Sequence, residues 1–166
     1  MDRWRGRSSG LTIAAFGLVM LGAAATVAGS GPALVVRAPD GSTLARVELP
    51  ADGSFALRYR NSLYGSLVEE RFVVAADGRM RLTRLAADEL AVLEEYYAID
   101  RPAERGPAAG TRAWEGEPAL AVEEDAILIA ASDIGERTLL VDGAPALELW
   151  RLVDDVAPSV RLEVDP

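Results

Sequence analysis

From residue 33 onward, apolar and polar positions alternate in short runs separated by turn residues, the signature of half-buried β-strands. The clearest run lies near the C-terminus, where Val160, Leu162 and Val164 oppose Ser159, Arg161 and Glu163. Asp-Gly pairs at Asp40-Gly41, Asp52-Gly53, Asp77-Gly78 and Asp142-Gly143 sit between runs rich in Val, Leu, Phe or Thr. Such pairs signal hairpins. Reading outward from them predicts strands near 33–38, 43–49, 54–60, 66–75, 79–85, 136–141 and 144–152, then a last one at 158–164. Further strands are expected near 118–123 and 125–131, where "AILIAA" has the continuous apolar character of a strand buried on both faces.

Two stretches break the pattern. "ADELAVLEEYYAI" (87–99) opens with Asp88 and Glu89, charges that suit a helix N-terminus, and places Leu90, Leu93 and Tyr97 at helical spacing. A strand fits it nearly as well. "DRPAERGPAAGTR" (100–112) is rich in Pro, Gly and charge and reads as a long exposed loop, either a lid or partner surface or a disordered excursion. The sum is an all-β fold, an antiparallel sandwich or flattened barrel.

The first 30 residues follow another rule. Arg3, Arg5 and Arg7 precede an uncharged run from Leu11 to Ala28 that ends in small residues. That is the layout of an export signal. Its length also suffices to span a bilayer as an uncleaved anchor, with the arginines retained inside. Either way residues 31–166 are expected outside the cytoplasmic membrane, as one β-rich extracytoplasmic domain: at the membrane's outer face, in the periplasm or at the cell surface.

Composition narrows the chemistry. The net charge is −9, and without Asp2, Arg3, Arg5 and Arg7 the remainder stands at −11. So acidic a body repels phosphate backbones, which argues against nucleic acid as a partner. Absence of cysteine removes disulfides and thiolate nucleophiles, and absence of histidine removes the commonest general base and transition-metal ligand. There is no lysine either: all 17 cations are arginine. Neither a metal nor a cofactor is expected.

The most unusual segment is Tyr59–Phe72, "YRNSLYGSLVEERF". If 54–60 pairs with 66–75 in the simplest hairpin register, Tyr59 faces Val68, Leu57 faces Glu70 and Phe55 faces Phe72. Alternation then collects Phe55, Leu57, Tyr59, Val68, Phe72 and Val74 on the core face, with Glu70 among them. A carboxylate there must be paired, hydrogen-bonded or protonated. Asn61, Ser62 and Tyr64 of the connecting loop, or an arginine from elsewhere, are the candidates to satisfy it. The opposite face carries Arg58 against Glu69 and Ala56 against Arg71, an ordinary solvated pairing. A one-residue bulge would exchange the faces and turn Glu69 inward.

This stretch resembles the signature of the bacterial domain-of-unknown-function family 1850, small exported or membrane-anchored proteins. The family pattern is an aromatic, His-Ser and an apolar residue, then a bulky apolar residue, a glutamate and an aromatic at alternating positions. Tyr59, Ser62, Leu63, Val68, Glu70 and Phe72 match it, and Asn61 stands where the histidine is usual. Asparagine keeps a hydrogen bond but cannot titrate near neutral pH. The resemblance covers about a tenth of the chain. It implies a binding or structural motif at Tyr59, Asn61, Ser62, Glu70 and Phe72, and an accessory role beside tripartite transporters, with a transporter component or small solute as partner.

Other constellations carry less. The acidic groups Glu94-Glu95, Glu123-Glu124-Asp125 and Asp154-Asp155 lack calcium-loop spacing. Ser62 and Ser132 have no histidine or lysine to activate them. A non-enzymatic binding module is therefore the leading expectation. Its rival is a periplasmic or cell-wall enzyme with Glu70 as a perturbed acid, which needs a second carboxylate across an open cleft.

Overall fold

The computed structural model describes residues 32–105 and 112–165. The segment 1–30, expected to be a signal or anchor, lies outside them, as do residues 106–111 of the expected loop. No helix among the described residues is long and apolar enough to cross a membrane.

The fold is mostly β and antiparallel. β1 (Ala33–Arg37), β2 (Thr43–Glu48), β9 (Ala126–Ala130) and β12 (Ser159–Asp165) form a four-stranded sheet ordered β2-β1-β12-β9. The larger sheet contains β3 (Ser54–Arg60), β4 (Leu67–Val74), β5 (Met80–Ala87), β6 (Ala103–Glu104), β7 (Trp114–Gly116), β10 (Thr138–Leu140) and β11 (Leu147–Glu148). Its order is β11-β10-β3-β4-β5-β7-β6, and the short β8 (Glu123–Glu124) also pairs with β5. Both sheets turn apolar side chains into one core. Leu34, Val36, Ile129, Val160 and Leu162 come from the smaller sheet, and Phe55, Leu57, Val68, Phe72 and Leu139 from the larger. Burial of such side chains is the main force holding the sheets together.

All four Asp-Gly glycines adopt positive φ, at 86° for Gly41, 67° for Gly53, 84° for Gly78 and 81° for Gly143. Three of them turn hairpins, β1-β2, β4-β5 and β10-β11. The second does not, because β2 and β3 lie in different sheets, so Asp52-Gly53 marks a crossing. There the Gly53 carbonyl accepts the Val74 amide, and a Cβ on Gly53 would stand 3.1 Å from the Val74 carbonyl oxygen. Asp40, Asp52 and Asp77 each accept the amide two residues on, which fixes the turns.

Several expected elements differ. The segment 144–152 holds only the two-residue β11, followed by a 3₁₀ turn (Leu149–Arg151) that buries Leu149. Most of 118–123 is not strand: only Glu123 joins β8. β9 is buried on one face alone, with Leu128 78% exposed, because only one face of its sheet turns toward the core. The 87–99 helix shrinks to one turn centred on a π-helical stretch (Val92–Tyr96) that buries Val92 and Leu93. β5 ends at Ala87, and Asp88 and Glu89 form a bend ahead of the turn. The 100–112 loop also gives up Ala103–Glu104 to β6, which pairs with the unforeseen β7. Short strands with few alternations leave too little periodicity to read.

Candidate functional site

β3 and β4 pair in the simplest register: Phe55 opposite Phe72, Leu57 opposite Glu70, Arg58 opposite Glu69 and Tyr59 opposite Val68. Phe55, Leu57, Tyr59, Val68 and Phe72 are buried. The Phe55 and Phe72 rings stack with centroids 5.1 Å apart. Phe72 is thus a core residue. The bulge in this sheet falls between β4 and β5, at Arg71/Phe72, and leaves the β3-β4 faces unexchanged.

Glu70 sits in the apolar row, flanked across the sheet by Leu57 and Leu85. Its side chain is 15% exposed. The Tyr97 hydroxyl donates to Glu70 Oε1 at 2.5 Å, and an Arg137 Nη1 lies 3.9 Å from Oε2. Tyr59 and Tyr97 share a hydroxyl–hydroxyl hydrogen bond. A phenol carries one proton, and that of Tyr97 points to Glu70, so Tyr59 donates to Tyr97. The Arg137 guanidinium also lies over the Tyr59 ring, 4.1 Å from its centroid, a cation–π contact. Burial, reinforced by the negative charge of Glu70, pushes both tyrosine hydroxyls above their ordinary range. They stay neutral donors at any physiological pH.

Both outside partners of Glu70 stand beside backbone held in the left-handed region. Ala98, at φ 52°, follows Tyr97, and Glu136, at φ 46°, precedes Arg137. Non-glycine residues adopt this conformation at a cost of about 1 kcal/mol or more each. The cluster holds two loops in shapes that their residues do not prefer.

The loop polar residues expected to satisfy Glu70 act elsewhere. Asn61 is buried, and its Oδ1 accepts the Leu63 and Tyr64 amides at 3.0 and 3.1 Å. Its backbone N–H donates to Ser66 and its carbonyl accepts from Gly65, so Asn61 braces the whole 61–66 turn. An acceptor alone does this work. Tyr64 reaches Glu95 instead, donating to its Oε2 at 2.5 Å. Ser62 is exposed and has no part in the cluster. The motif therefore divides into Tyr59 and Glu70 in a polar cluster, Asn61 in a turn, Phe72 in the core and Ser62 on the surface.

The opposite face also departs from expectation. Glu69 is buried beneath two arginines: Arg71 Nε donates to Oε1 at 2.8 Å and Arg58 Nη2 lies 3.5 Å from Oε2. Glu115 of β7 is likewise buried, between Arg84 at 2.6 Å and Arg105 at 2.9 Å. The signal for Glu69 was Arg71, two residues on and so on the same face. Nothing local announced Glu115. A hollow of about 500 Å³ opens over this face, lined by Arg58, Glu69, Arg71, Thr83 and Leu140 among others.

Among the described residues no three carboxylates group to hold a metal ion. Glu123 and Asp125 pair with Arg79, and Asp154 caps the amides of Val156 and Ala157. No family model, curated protein or solved structure gives a significant match to this chain. The resemblance to family 1850 rests on the motif residues alone.

Proposed function

We propose that the chain is an exported, non-enzymatic binding module, a two-sheet sandwich held at the outer face of the cytoplasmic membrane by its N-terminal segment or released after cleavage. The observation that carries this reading is the largely buried polar cluster at Glu70. Tyr59 donates to Tyr97, Tyr97 donates to Glu70, and Arg137 lies beside the acid and over the Tyr59 ring, so the cluster ties two loops to β4, which is the chemistry of a brace. Catalysis at Glu70 needs a second carboxylate facing it. Its polar partners are a phenol and a guanidinium, so no observation favours that rival. The signal-like segment, the acidic body and the family resemblance support an extracytoplasmic accessory role, next to a tripartite transporter component or a small solute.

The test combines location with chemistry. External protease is expected to degrade the chain in spheroplasts while a cytoplasmic marker survives. Protection of the chain would refute the address. A hydrolytic activity abolished by Glu70→Gln in a variant that still melts cooperatively would refute the non-enzymatic role.

A further inference from the structure

The braced loops gather at one pole of the molecule. β3 ends there at Arg60, β4 begins at Leu67, β5 ends at Ala87 and β10 begins at Thr138. Polar bonds tie the loops together. Arg60 donates its backbone N–H to the Gly135 carbonyl and a guanidinium N–H to the Gly65 carbonyl, and pairs with Glu136 at 3.5 Å. The Tyr64–Glu95 bond joins the 61–66 turn to the π-helical turn.

Isolated exposed apolar residues are ordinary on protein surfaces. Their distribution here is not even. Among the described residues seven large apolar side chains are exposed, and four leave from this pole: Leu63 at 75%, Tyr96 at 63%, Ile134 at 67% and Val156 at 93%. The three others, Leu120, Val122 and Leu128, lie along the flanks. Each of the first three polar-end residues stands directly beside a tie: Leu63 gives its amide to Asn61, Tyr96 follows Glu95, and Ile134 precedes Gly135.

The chain enters the fold at the opposite pole. The Pro32 carbonyl accepts the Leu49 amide, and Pro32 borders the turns around Asp52-Gly53 and Asp77-Gly78. The seven residues of β3 separate the two poles by roughly 20 Å. On the exported, membrane-held reading above, on which this step rests, the apolar pole points away from the tethering bilayer. Glu94, Glu95, Asp133 and Asp155 are exposed on its loops, while the cations there are already engaged, Arg60 with Glu136 and Arg151 with Glu148, so acid is in excess. Such charge repels anionic lipid headgroups, and it repels a second copy of the same pole.

We infer that this pole is a docking surface for a folded extracytoplasmic protein that offers an apolar socket rimmed by arginine or lysine. Leu63, Tyr96 and Ile134 enter the socket. The surrounding acids meet its rim and speed encounter at low salt. Preset loops lower the ordering cost of association. The motif centred on Asn61 and Glu70 thus acts at a distance from the partner, by holding the loops that touch it.

The experiment is site-specific photo-crosslinking in the source cells, with the full chain carrying a photoreactive residue at position 63, at 96 or, on the flank, at 120. One protein adduct of common mass is expected from 63 and 96 and none from 120. After identification by mass spectrometry and purification, that protein is expected to bind the wild-type chain more weakly as salt rises. Leu63→Ser is expected to weaken binding about tenfold or more, as for a central apolar anchor. An adduct to lipid or to a second copy of this chain, no adduct at 63, equal yields at 63 and 120, or unchanged binding by Leu63→Ser would each overturn the inference. Protease protection in spheroplasts would instead overturn the exported reading beneath it.

Discussion

Replacing Glu70 by glutamine tests how the brace works. Glutamine keeps an acceptor for the Tyr97 hydroxyl but turns a charge-assisted bond of 2.5 Å into a neutral one. Bonds to charged groups contribute about 1.5–3 kcal/mol and neutral ones about 0.5–1.5, so the exchange costs about 1 kcal/mol. The Arg137 pair, at 3.9 Å and partly exposed, adds less than about 1 kcal/mol. Glu70→Gln is therefore expected to lose about 1–2 kcal/mol. Glu70→Ala goes further, because it leaves the Tyr97 hydroxyl without its acceptor and opens a gap between Leu57 and Leu85. A loss of about 3–4 kcal/mol is expected there. For a domain of this size each kcal/mol lowers Tm by about 3–5 °C. Thermal melts of the full chain in mild detergent, followed by circular dichroism, should place glutamine between wild type and alanine. If Glu70→Gln fails to fold, the negative charge itself is required and the hydrogen-bond account is wrong. If alanine costs no more than glutamine, the Tyr97 bond contributes nothing.

The same cluster dictates an alkaline limit. Burial and the Glu70 charge raise the folded-state pKa of Tyr59 and Tyr97 above the unfolded value of about 10. Below that pH neither state ionises and their full contribution remains. Above it the unfolded chain alone sheds protons, so stability should fall as pH rises past about 10. Denaturant melts between pH 8 and 11.5 check this, and Tyr97→Phe should flatten the slope; an unchanged slope would count against the buried phenol. Asn61→Ala should lose about 1–2 kcal/mol by stranding the Leu63 and Tyr64 amides, whereas Asn61→Asp, which keeps the acceptor, should lose less. Equal losses in urea unfolding would contradict the acceptor role. Gly53→Ala should destabilise by about 1–2 kcal/mol, since its φ is 67° and the new Cβ meets the Val74 backbone. Gly41→Ala has the same sign of φ but open space and should cost less, as differential calorimetry would register.

What the sequence made legible follows from range. The β3-β4 register could be read pair by pair because a period of two over seven residues leaves one way to bury Phe55, Leu57 and Tyr59 together. That register also turns Glu70 inward. Its partners could not be read the same way: Tyr97 comes from beyond β5 and Arg137 from the approach to β10, and nothing in either local pattern points to β4. Asn61 was singled out for its position, yet its work is wholly local to the turn. Alternation puts Glu69 on the outer face but says nothing of what covers it there. Two flanking arginines do so here. The Asp52-Gly53 turn misled for a related reason: turn chemistry specifies a reversal of direction, while the partner sheet is chosen by the core.

One feature of the smaller sheet bears on how this chain can be rebuilt. Ala33, where β1 starts, lies opposite Asp165, where β12 stops, and β1 pairs with β12 along its full length. The entry and exit of the domain are neighbours at one pole. A short glycine-serine bridge could join them, and new ends could be opened at the exposed Asp40-Gly41 turn without breaking any strand. Such a circular permutant would keep every sheet pairing while moving both ends to the other pole. A carrier fused there would hold the domain the opposite way round.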